Sequence, residues 1–416
     1  MELYDRLYRL YSSFDVSTLR AYQEFVDLFP PIDSRVALEY WETAREELDR
    51  RKAEIESETG EAALAGVAAR ATMDQAFGAL DLATKYDRPV NSLVLDVDET
   101  LRSAGQTDNE IPRKTLYLMT AFLDAGVPIV ICTGQTLENV KGFLIQGLGN
   151  ELVHSGDLSI VYEGGAGVFT PGQGERTKQL LSADLDADVR AIFDTVRSRV
   201  LSAAPDRVRT GCHLQGNEFN VTLKPNYETG SSGAKEVIDA ALVHLLDLLG
   251  EAVATDADPV NATNWVRRHY AERDPEIREA LAAVDAVPAE EVTVPAAIED
   301  RLSRVDVGYY EADGVEITSR EVTKVTGVTA ACEVLGIEDP FALVMGDSKS
   351  DLRVMEWAAE NDAGIAAAPE NASRAVLDHV IRTDELLFDR GSADDILRTV
   401  FAMNRLVSVA EPPSEA

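Results

Sequence analysis

Short apolar segments that alternate with helical patterns constrain the fold of this chain more than any other feature of its sequence. Three such segments come first, namely SLVLD (92–96), VPIVICT (127–133) and LSIVYEG (158–164). Helical patterns near 112–125 and 136–147 separate them. Strands that alternate with helices are typical of a parallel sheet with helices on its faces. The sequence therefore predicts a parallel α/β sheet that begins at residue 92.

This alternation stops after residue 170 and returns near residue 320. The intervening part has long helical patterns at 184–203, 232–250 and 260–283. It also has alternating stretches that predict two hairpins, RVRTGCHL (207–214) with EFNVTLK (218–224) and VDVGYYE (305–311) with GVEITS (314–319). From residue 320 onward the α/β pattern resumes, with a strand at 341–347 and a final helix near 392–407. We therefore predict a core of residues 89–170 and 318–407, interrupted by an α+β insert of residues 171–317.

Residues 1–88 read as a separate helical region. Apolar residues follow helical spacing from Leu3 to Phe14, and a longer helix is expected from Ser34 toward Gly60. Such amphipathic helices pack on their own domain or mediate the formation of a homo-oligomer. Residues 408–416 are expected to form a frayed tail.

Polar side chains follow three of the predicted strands. Asp96, Asp98 and Thr100 come at the end of the first strand, Thr133 and Gly134 at the end of the second, and Asp347 and Asp351 after the strand at 341–346. In an open parallel sheet, ligands bind at the carboxyl ends of the strands. A lone Asp-x-Asp-x-Thr would be a weak signal in so acidic a chain, but the set is ordered along the sequence.

The ordered set is DVDET (96–100), ICTG (131–134), TKVTG (323–327) and GDSKSD (346–351), and it resembles the four motifs of the haloacid dehalogenase (HAD) superfamily. The resemblance covers roughly residues 90–170 and 318–407. It implies a Rossmann-like core and a HAD-type phosphatase activity. It also implies that the α+β insert is a C2-type cap, because the insert lies between the second and third motifs. YEGGAGVF (162–169) resembles the stretch before the cap in Cof-type and sugar-phosphate phosphatases.

The resemblance implies a role for each matching residue in catalysis. Asp96 would attack the phosphate and become an aspartyl-phosphate, and Asp98 would protonate the leaving oxygen and later activate water. Thr133, Gly134 and Lys324 would bind the transferring phosphate, with Lys324 as a positive charge beside Asp96.

The resemblance also implies a magnesium ion. Its ligands would be Asp96, Asp347 and the backbone carbonyl of Asp98. Asp351 would belong to the metal site through a metal-bound water or would orient Lys324, with Ser348 as a further support. Magnesium prefers a few carboxylates together with water and substrate oxygens, and it offsets the repulsion between a carboxylate and a phosphate dianion.

Three positions depart from common patterns of the superfamily. Glu99 stands where many members have Gly, and Ser350 stands where Asn or Asp is usual. Gln135 stands where sugar-phosphate phosphatases often have Arg, which puts a phosphate contact from that side chain in doubt. None of these changes removes a residue that the chemistry needs.

A cap that closes over the site chooses the substrate, so we expect a small ligand, a sugar or polyol phosphate. His213, Asn217, Asn220 and Lys224 are candidate cap contacts, but polar hairpin residues are more often ordinary surface residues, and none is assigned to the site. A phosphomutase of the same superfamily is an alternative enzyme. A further alternative is an inactive scaffold that binds a protein partner.

The charge balance excludes some partners. The chain has 73 acidic and 39 basic residues, of which nine are Lys, and a formal net charge of −34. Such a surface repels nucleic acid and anionic membranes. We interpret it as an adaptation to concentrated salt, where self-repulsion is screened. Three Cys residues far apart in the sequence, and the lack of an apolar leader or spanning segment, predict a cytoplasmic protein.

Overall fold

The computed structural model describes residues 35–60, 62–102, 110–174, 177–217, 219–254, 259–288 and 294–410. The predictions for residues 1–34, and for the tail beyond residue 410, lie outside these ranges. The first described elements are three helices, α1 (Arg35–Thr59), α2 (Ala62–Ala68) and α3 (Met73–Tyr86). Thr72 caps α3, because its side chain accepts a hydrogen bond from the backbone N–H of Gln75 at 3.2 Å.

The first part of the core contains strands that alternate with helices and end in a short hairpin. Its elements are β1 (Ser92–Leu95), α4 (Arg113–Asp124), β2 (Ile129–Cys132), α5 (Leu137–Leu148), α6 (Asn150–Val153), β3 (Leu158–Tyr162), β4 (Gly167–Phe169) and β5 (Gln179–Leu180).

The insert, which we call the cap, contains helices and two pairs of strands. Its elements are α7 (Ala187–Arg199), α8 (Asp206–Gly211), β6 (Cys212–Gln215), β7 (Asn220–Pro225), α9 (Gly230–Val253), α10 (Pro259–Arg273), α11 (Pro275–Ala283), α12 (Ala296–Leu302), β8 (Val305–Tyr310) and β9 (Gly314–Ser319).

The second part of the core restores the alternation. Its elements are α13 (Lys324–Leu335), β10 (Ala342–Met345), α14 (Lys349–Glu360), β11 (Gly364–Pro369), α15 (Arg374–Arg382), β12 (Leu386–Phe388) and α16 (Ala393–Ala410).

The core sheet has the strand order β12-β11-β10-β1-β2-β3-β4-β5. All pairs from β12 to β3 are parallel, and β4 and β5 add an antiparallel edge. Every residue of β1 is buried because helices cover both faces of the sheet. Leu93 and Leu95 pack on the face that carries α4, α5 and α16, and Val94 packs on the face that carries α13, α14 and α15.

The cap sheet is antiparallel, with the order β6-β7-β9-β8. Alternate residues such as Val221, Val315 and Ile317 are buried against α9 and the other cap helices. Residues between them, such as Thr222 and Glu316, lie on the opposite, partly exposed face. The prediction of a Rossmann-like α/β core with an α+β cap insert is therefore confirmed.

Three details differ from the sequence predictions. The first half of the predicted strand at 207–214 is the helix α8, so the strand β6 starts only at Cys212. The helix predicted over 260–283 breaks at Asp274, whose carboxylate caps α11 by accepting from the Glu276 N–H. The predicted boundary at residue 170 falls between β4 and β5, which both belong to the core sheet.

The described N-terminal helices pack on the core. Ala79 and Leu82 of α3 are buried in the same cluster as Leu397 and Val400 of α16. Within the described ranges, we find no helix that is long and apolar enough to cross a membrane.

Candidate active site

The predicted site residues meet at the carboxyl ends of three neighbouring strands. Asp96 follows β1, Thr133 follows β2 and Asp347 comes two residues after the end of β10. These three strands are adjacent, in the order β10-β1-β2. The carboxyl ends of parallel strands meet at one edge of a sheet, so the sequence order of the motifs becomes one cluster in space.

A buried lysine joins two of the carboxylates. Lys324 Nζ donates to Asp96 Oδ1 at 2.7 Å and to Asp351 Oδ1 at 2.6 Å. The three residues are 4%, 6% and 3% exposed, respectively, so water screens these charges little. Burial lowers the pKa of Lys324, but Asp351 and Asp96 outweigh it and raise that pKa well above its usual range. Lys324 is therefore a fixed positive charge beside Asp96.

Three carboxylates form a compact oxygen-rich cluster. Asp96, Asp347 and Asp351 each offer one oxygen, and these oxygens lie within 4.8 Å of one another. Burial raises the pKa of Asp96. The charge of Lys324 opposes this increase, and the charges of Asp351 and Asp347 add to it. Burial, followed by the charge of Asp351, raises the pKa of Asp347 to about 7. Clustered carboxylates that resist ionisation in this way suit a hard divalent cation.

Two glycines allow this approach of chain segments. A Cβ at Gly346 would lie 2.3 Å from Asp351 Cβ, so any side chain there would displace the Asp351 carboxylate. Gly165 has φ +105°, and a Cβ on it would lie 2.0 Å from the carbonyl oxygen of Thr323, the residue before Lys324. Both glycines thus let α13 and α14 start close to the end of β1.

Hydrogen bonds at these two helix starts also orient the site. Thr323 caps α13, with its N–H donating to Thr326 Oγ1 at 2.9 Å. Ser348 precedes α14, and its backbone N–H and hydroxyl both donate to Asp351 Oδ2, at 3.1 and 2.5 Å. Asp351 therefore has one oxygen on Lys324 and the other on Ser348.

Asp98 lies apart from the carboxylate cluster in its contacts. Arg102 Nε and Nη2 donate to Asp98 Oδ1 at 3.0 and 2.9 Å, and Gln135 Nε2 donates to Asp98 Oδ2 at 2.6 Å. The roles of Arg102 and Gln135 were missed from the sequence. For Arg102 the available signal is its position four residues after Asp98. Gln135 donates to the Asp98 carboxylate. It occupies the position at which sugar-phosphate phosphatases often have an Arg that contacts phosphate.

Thr133 and Gly134 lie on the loop after β2. Thr133 is buried, and its backbone N–H and carbonyl are bonded to Val161 and Gly164. Its hydroxyl oxygen accepts from the Gln135 N–H at 3.2 Å, so the Thr133 hydroxyl hydrogen is available as a donor. Gly134 is exposed at the surface of the loop.

Glu99 adopts a left-handed backbone conformation, with φ 60°. This conformation favours glycine and agrees with the Gly that many superfamily members have here. The Glu99 side chain accepts from Arg390 Nη2 at 2.7 Å and from Asn371 Nδ2 at 3.3 Å. These bonds tie the loop after β1 to the loops that follow β11 and β12.

The cap contacts the core close to the carboxylate cluster. Lys349 Nζ, two residues after Asp347, donates to Asp274 Oδ2 at 2.9 Å, to Glu276 Oε2 at 2.7 Å and to the Tyr309 carbonyl at 3.2 Å. Arg353 of α14 forms a further ion pair with Asp306 of β8. The structure thus has the cap closed on the core.

The four candidate cap contacts divide into two groups. Asn217 reaches the core, where its Nδ2 donates to Glu163 Oε2 at 3.1 Å. The other three bond within the cap: His213 to Asn226 and Gln215, Asn220 to Thr222, and Lys224 to Asp313.

A protein-family model matches residues 270–383, and its description is haloacid dehalogenase-like hydrolase. The matched stretch carries Lys324, Asp347 and Asp351, which meet Asp96 in the site described above. Residues 270–383 are therefore similar to haloacid dehalogenase-like hydrolases. This match agrees with the predicted resemblance to the HAD superfamily and with the prediction of a HAD-type hydrolase.

No curated protein matches the chain. Solved structures with a similar fold include a protein from Thermoplasma acidophilum, at 13% identity and a TM-score of 0.42, covering 76% of this chain and 100% of that one. A haloacid dehalogenase-like hydrolase from Bacteroides thetaiotaomicron has 13% identity and a TM-score of 0.39, with 75% and 98% coverage. A HAD subclass IIB sugar phosphatase has 16% identity and a TM-score of 0.40, with 74% and 97% coverage.

Proposed function

We propose that this protein is a magnesium-dependent phosphohydrolase that removes phosphate from a small metabolite, a sugar or polyol phosphate, through an aspartyl-phosphate on Asp96. The observation that carries the proposal is the buried Lys324, which donates to Asp96 at 2.7 Å and to Asp351 at 2.6 Å beside a third carboxylate. A nucleophilic carboxylate next to a fixed cation suits the attack on an anionic phosphate.

The donor set fits magnesium. Asp96, Asp347 and Asp351 supply the carboxylate oxygens, and the backbone carbonyl of Asp98 is proposed as a further ligand. When bound, Mg²⁺ supplies positive charge that offsets the repulsion between Asp96 and a phosphate dianion.

The first half of the reaction forms the covalent intermediate. An Asp96 oxygen attacks phosphorus and forms an acyl-phosphate bond while the bond from phosphorus to the leaving oxygen breaks. Asp98, in its protonated form, gives its proton to the leaving oxygen. Lys324 and the Thr133 hydroxyl donate hydrogen bonds to the phosphoryl oxygens, and Gly134 lies beside them.

The second half releases phosphate. Asp98 takes a proton from water, whose oxygen attacks phosphorus, and the acyl-phosphate bond breaks to regenerate the Asp96 carboxylate. Asp98 must therefore stay close to the phosphorus in both halves. Its bonds to Arg102 and Gln135 support this placement, because they fix both of its oxygens.

Phosphate release from a panel of sugar, polyol and glycerate phosphates tests the proposal. We expect release with Mg²⁺ and none with EDTA, at the salt concentration that keeps the protein folded. Asp96→Asn should abolish turnover but keep the fold, and Asp378→Asn, an exposed residue of α15, is the matched control that should keep activity.

Two outcomes would overturn the proposal. Turnover without release of phosphate, with the group moved to another oxygen of the substrate, would indicate a mutase. Undiminished turnover in Asp96→Asn would show that another group is the nucleophile.

A further inference from the structure

The cap sheet presents a polar surface to the active site. We call its residues Tyr310, Glu316, Thr222 and Asn220 the roof. Glu316 and Tyr310 alternate with Ile317, Val315 and Tyr309, which are buried in the cap core, so the two roof side chains lie on the opposite face.

The roof lies over the carboxylate cluster. Lys349 Nζ, which bonds the Tyr309 carbonyl at 3.2 Å, lies 5.8 Å from the centre of the Tyr310 ring. Burial raises the pKa of the Tyr310 hydroxyl, and the charges of Glu316, Asp351 and Asp347 raise it further. Burial raises the pKa of the Glu316 carboxyl group, and the charges of Lys224 and Lys324 oppose this shift. The contacts with Lys349, two residues after Asp347, place the roof next to the carboxylate cluster, and the charge effects agree with this position.

Hydrogen bonds within the roof leave part of the Glu316 carboxylate available. Tyr310 Oη donates to Glu316 Oε1 at 3.0 Å. Thr222 Oγ1 is 3.4 Å from Glu316 Oε2 but only 2.6 Å from Asn220 Oδ1, so its single hydrogen serves Asn220. Because an ionised carboxylate can accept about four hydrogen bonds, Glu316 can bind donors from a ligand.

Among the residues that the structure describes, three lysines beside the roof already pair with carboxylates. Lys324 bonds Asp96 and Asp351, Lys349 bonds Asp274 and Glu276, and Lys224 bonds Asp313 at 2.8 Å. A second anionic group on a ligand would be repelled by the Glu316 carboxylate. These lysines would offset that repulsion little, because they already pair with protein carboxylates. A hydroxyl group would instead donate to Glu316 or bond the Tyr310 hydroxyl.

We propose that Glu316 and Tyr310 determine specificity for the leaving group and select phosphate esters of neutral polyhydroxy compounds over esters that carry a second anionic group. This inference rests on the proposed phosphohydrolase function. It deepens that function, because it excludes phosphorylated acids such as phosphoglycerates from the preferred substrates.

A matched pair of esters tests the inference. Glycerol 3-phosphate and 3-phosphoglycerate differ by a hydroxymethyl group in place of a carboxylate. We would measure kcat/KM for both, or the inhibition constant of each against hydrolysis of p-nitrophenyl phosphate if it is not turned over. The wild type should prefer glycerol 3-phosphate at least about tenfold, which corresponds to ~1.4 kcal/mol.

Glu316→Gln keeps the size of the side chain and removes its charge. The ratio of kcat/KM for glycerol 3-phosphate to that for 3-phosphoglycerate should therefore fall to within about threefold of unity, mainly because kcat/KM for 3-phosphoglycerate rises. Glu316→Ala is a second neutral variant should the first not fold. Glu311→Gln is the matched control, because Glu311 is exposed on the same hairpin and pairs with Lys235 at 3.2 Å. It should keep the wild-type preference.

The outcomes separate the two proposals. The inference would be refuted if the wild type had equal kcat/KM values for both esters, or if the folded Glu316 variants kept the wild-type preference. Phosphate release would still support the proposed function in either case. Lack of Mg²⁺-dependent hydrolysis of every ester, p-nitrophenyl phosphate included, would refute the proposed function and this inference together.

Discussion

Replacing Lys324 by methionine removes the charge that joins two buried carboxylates. The variant loses the bonds to Asp96 and Asp351, at 2.7 and 2.6 Å, and leaves both carboxylates buried without their shared donor. Removing one partner of a buried ion pair typically costs about 3–5 kcal/mol. We expect a loss of this size in the free energy of unfolding of Lys324→Met at pH 8. High salt should not rescue it, because buried pairs are screened little.

The loss should shrink at low pH. Burial and the neighbouring carboxylates raise the pKa of Asp96, so Asp96 gains a proton readily once Lys324 is absent. A protonated carboxyl group no longer needs a cation. At pH 5.5 we therefore expect the variant to recover part of its stability relative to the wild type.

Urea unfolding followed by circular dichroism, in EDTA and at both pH values, measures this effect. Arg207→Met is the matched control, because Arg207 is 59% exposed and pairs with Glu236 on the surface of the cap. Its loss should stay below about 0.5 kcal/mol. A loss in Lys324→Met no larger than in this control at pH 8 would refute the reasoning that Lys324 compensates the buried carboxylates.

Three further predictions concern charge and positioning. Asp347 has its pKa raised to about 7, above the 3.8 of the unfolded chain, so without metal it lowers stability as pH rises from about 4 to 7. Asp347→Asn should thus melt above the wild type in EDTA at pH 8, and added Mg²⁺ should reverse the order; equal melting in EDTA would contradict this. Gln135→Ala removes a 2.6 Å bond to Asp98 and should lower kcat about ten- to a hundredfold with little change in KM, whereas an unchanged kcat would rule out positioning by Gln135. The net charge of −34 predicts a melting temperature that rises steadily between 0.1 and about 2 M KCl, and salt-independent melting would refute the halophile hypothesis.

The sequence was sufficient to predict the core and the residues at its strand ends. The core strands are short apolar runs buried on both faces, and Asp96 and Thr133 each follow such a run directly. Asp96 after β1 and Thr133 after β2 therefore meet once the strands are parallel neighbours. The parallel arrangement alone brings them together, and it follows from the alternation of strands and helices.

The missed features depend on local caps and on side-chain direction. Alternation suggested a strand at 207–214, but Pro205 and Asp206 start a helix there. Pro275, after the capping residue Asp274, likewise marked a helix start that the long pattern concealed.

The partners of Asp98 were not predicted, because spacing along the sequence gave a signal for Arg102 only. Their positions depend on a loop that turns through Glu99 at φ 60° and on the direction of two long side chains, Arg102 and Gln135. The roof also could not be predicted from sequence. It depends on which face of the cap sheet meets the core, which hairpin patterns alone do not specify.

The pairing of β1 with β10 has a consequence for synthesis of the chain. The paired residues Leu95 and Met345 are about 250 residues apart, and β1 is central in the sheet. At ribosomal speeds of about 5–20 residues per second, one edge of β1 waits about 10–50 s for its partner. An unpaired, apolar strand edge invites association with other chains. The cap, whose own strands pair over shorter distances, can fold during this interval, so we expect chaperone dependence to arise in the core.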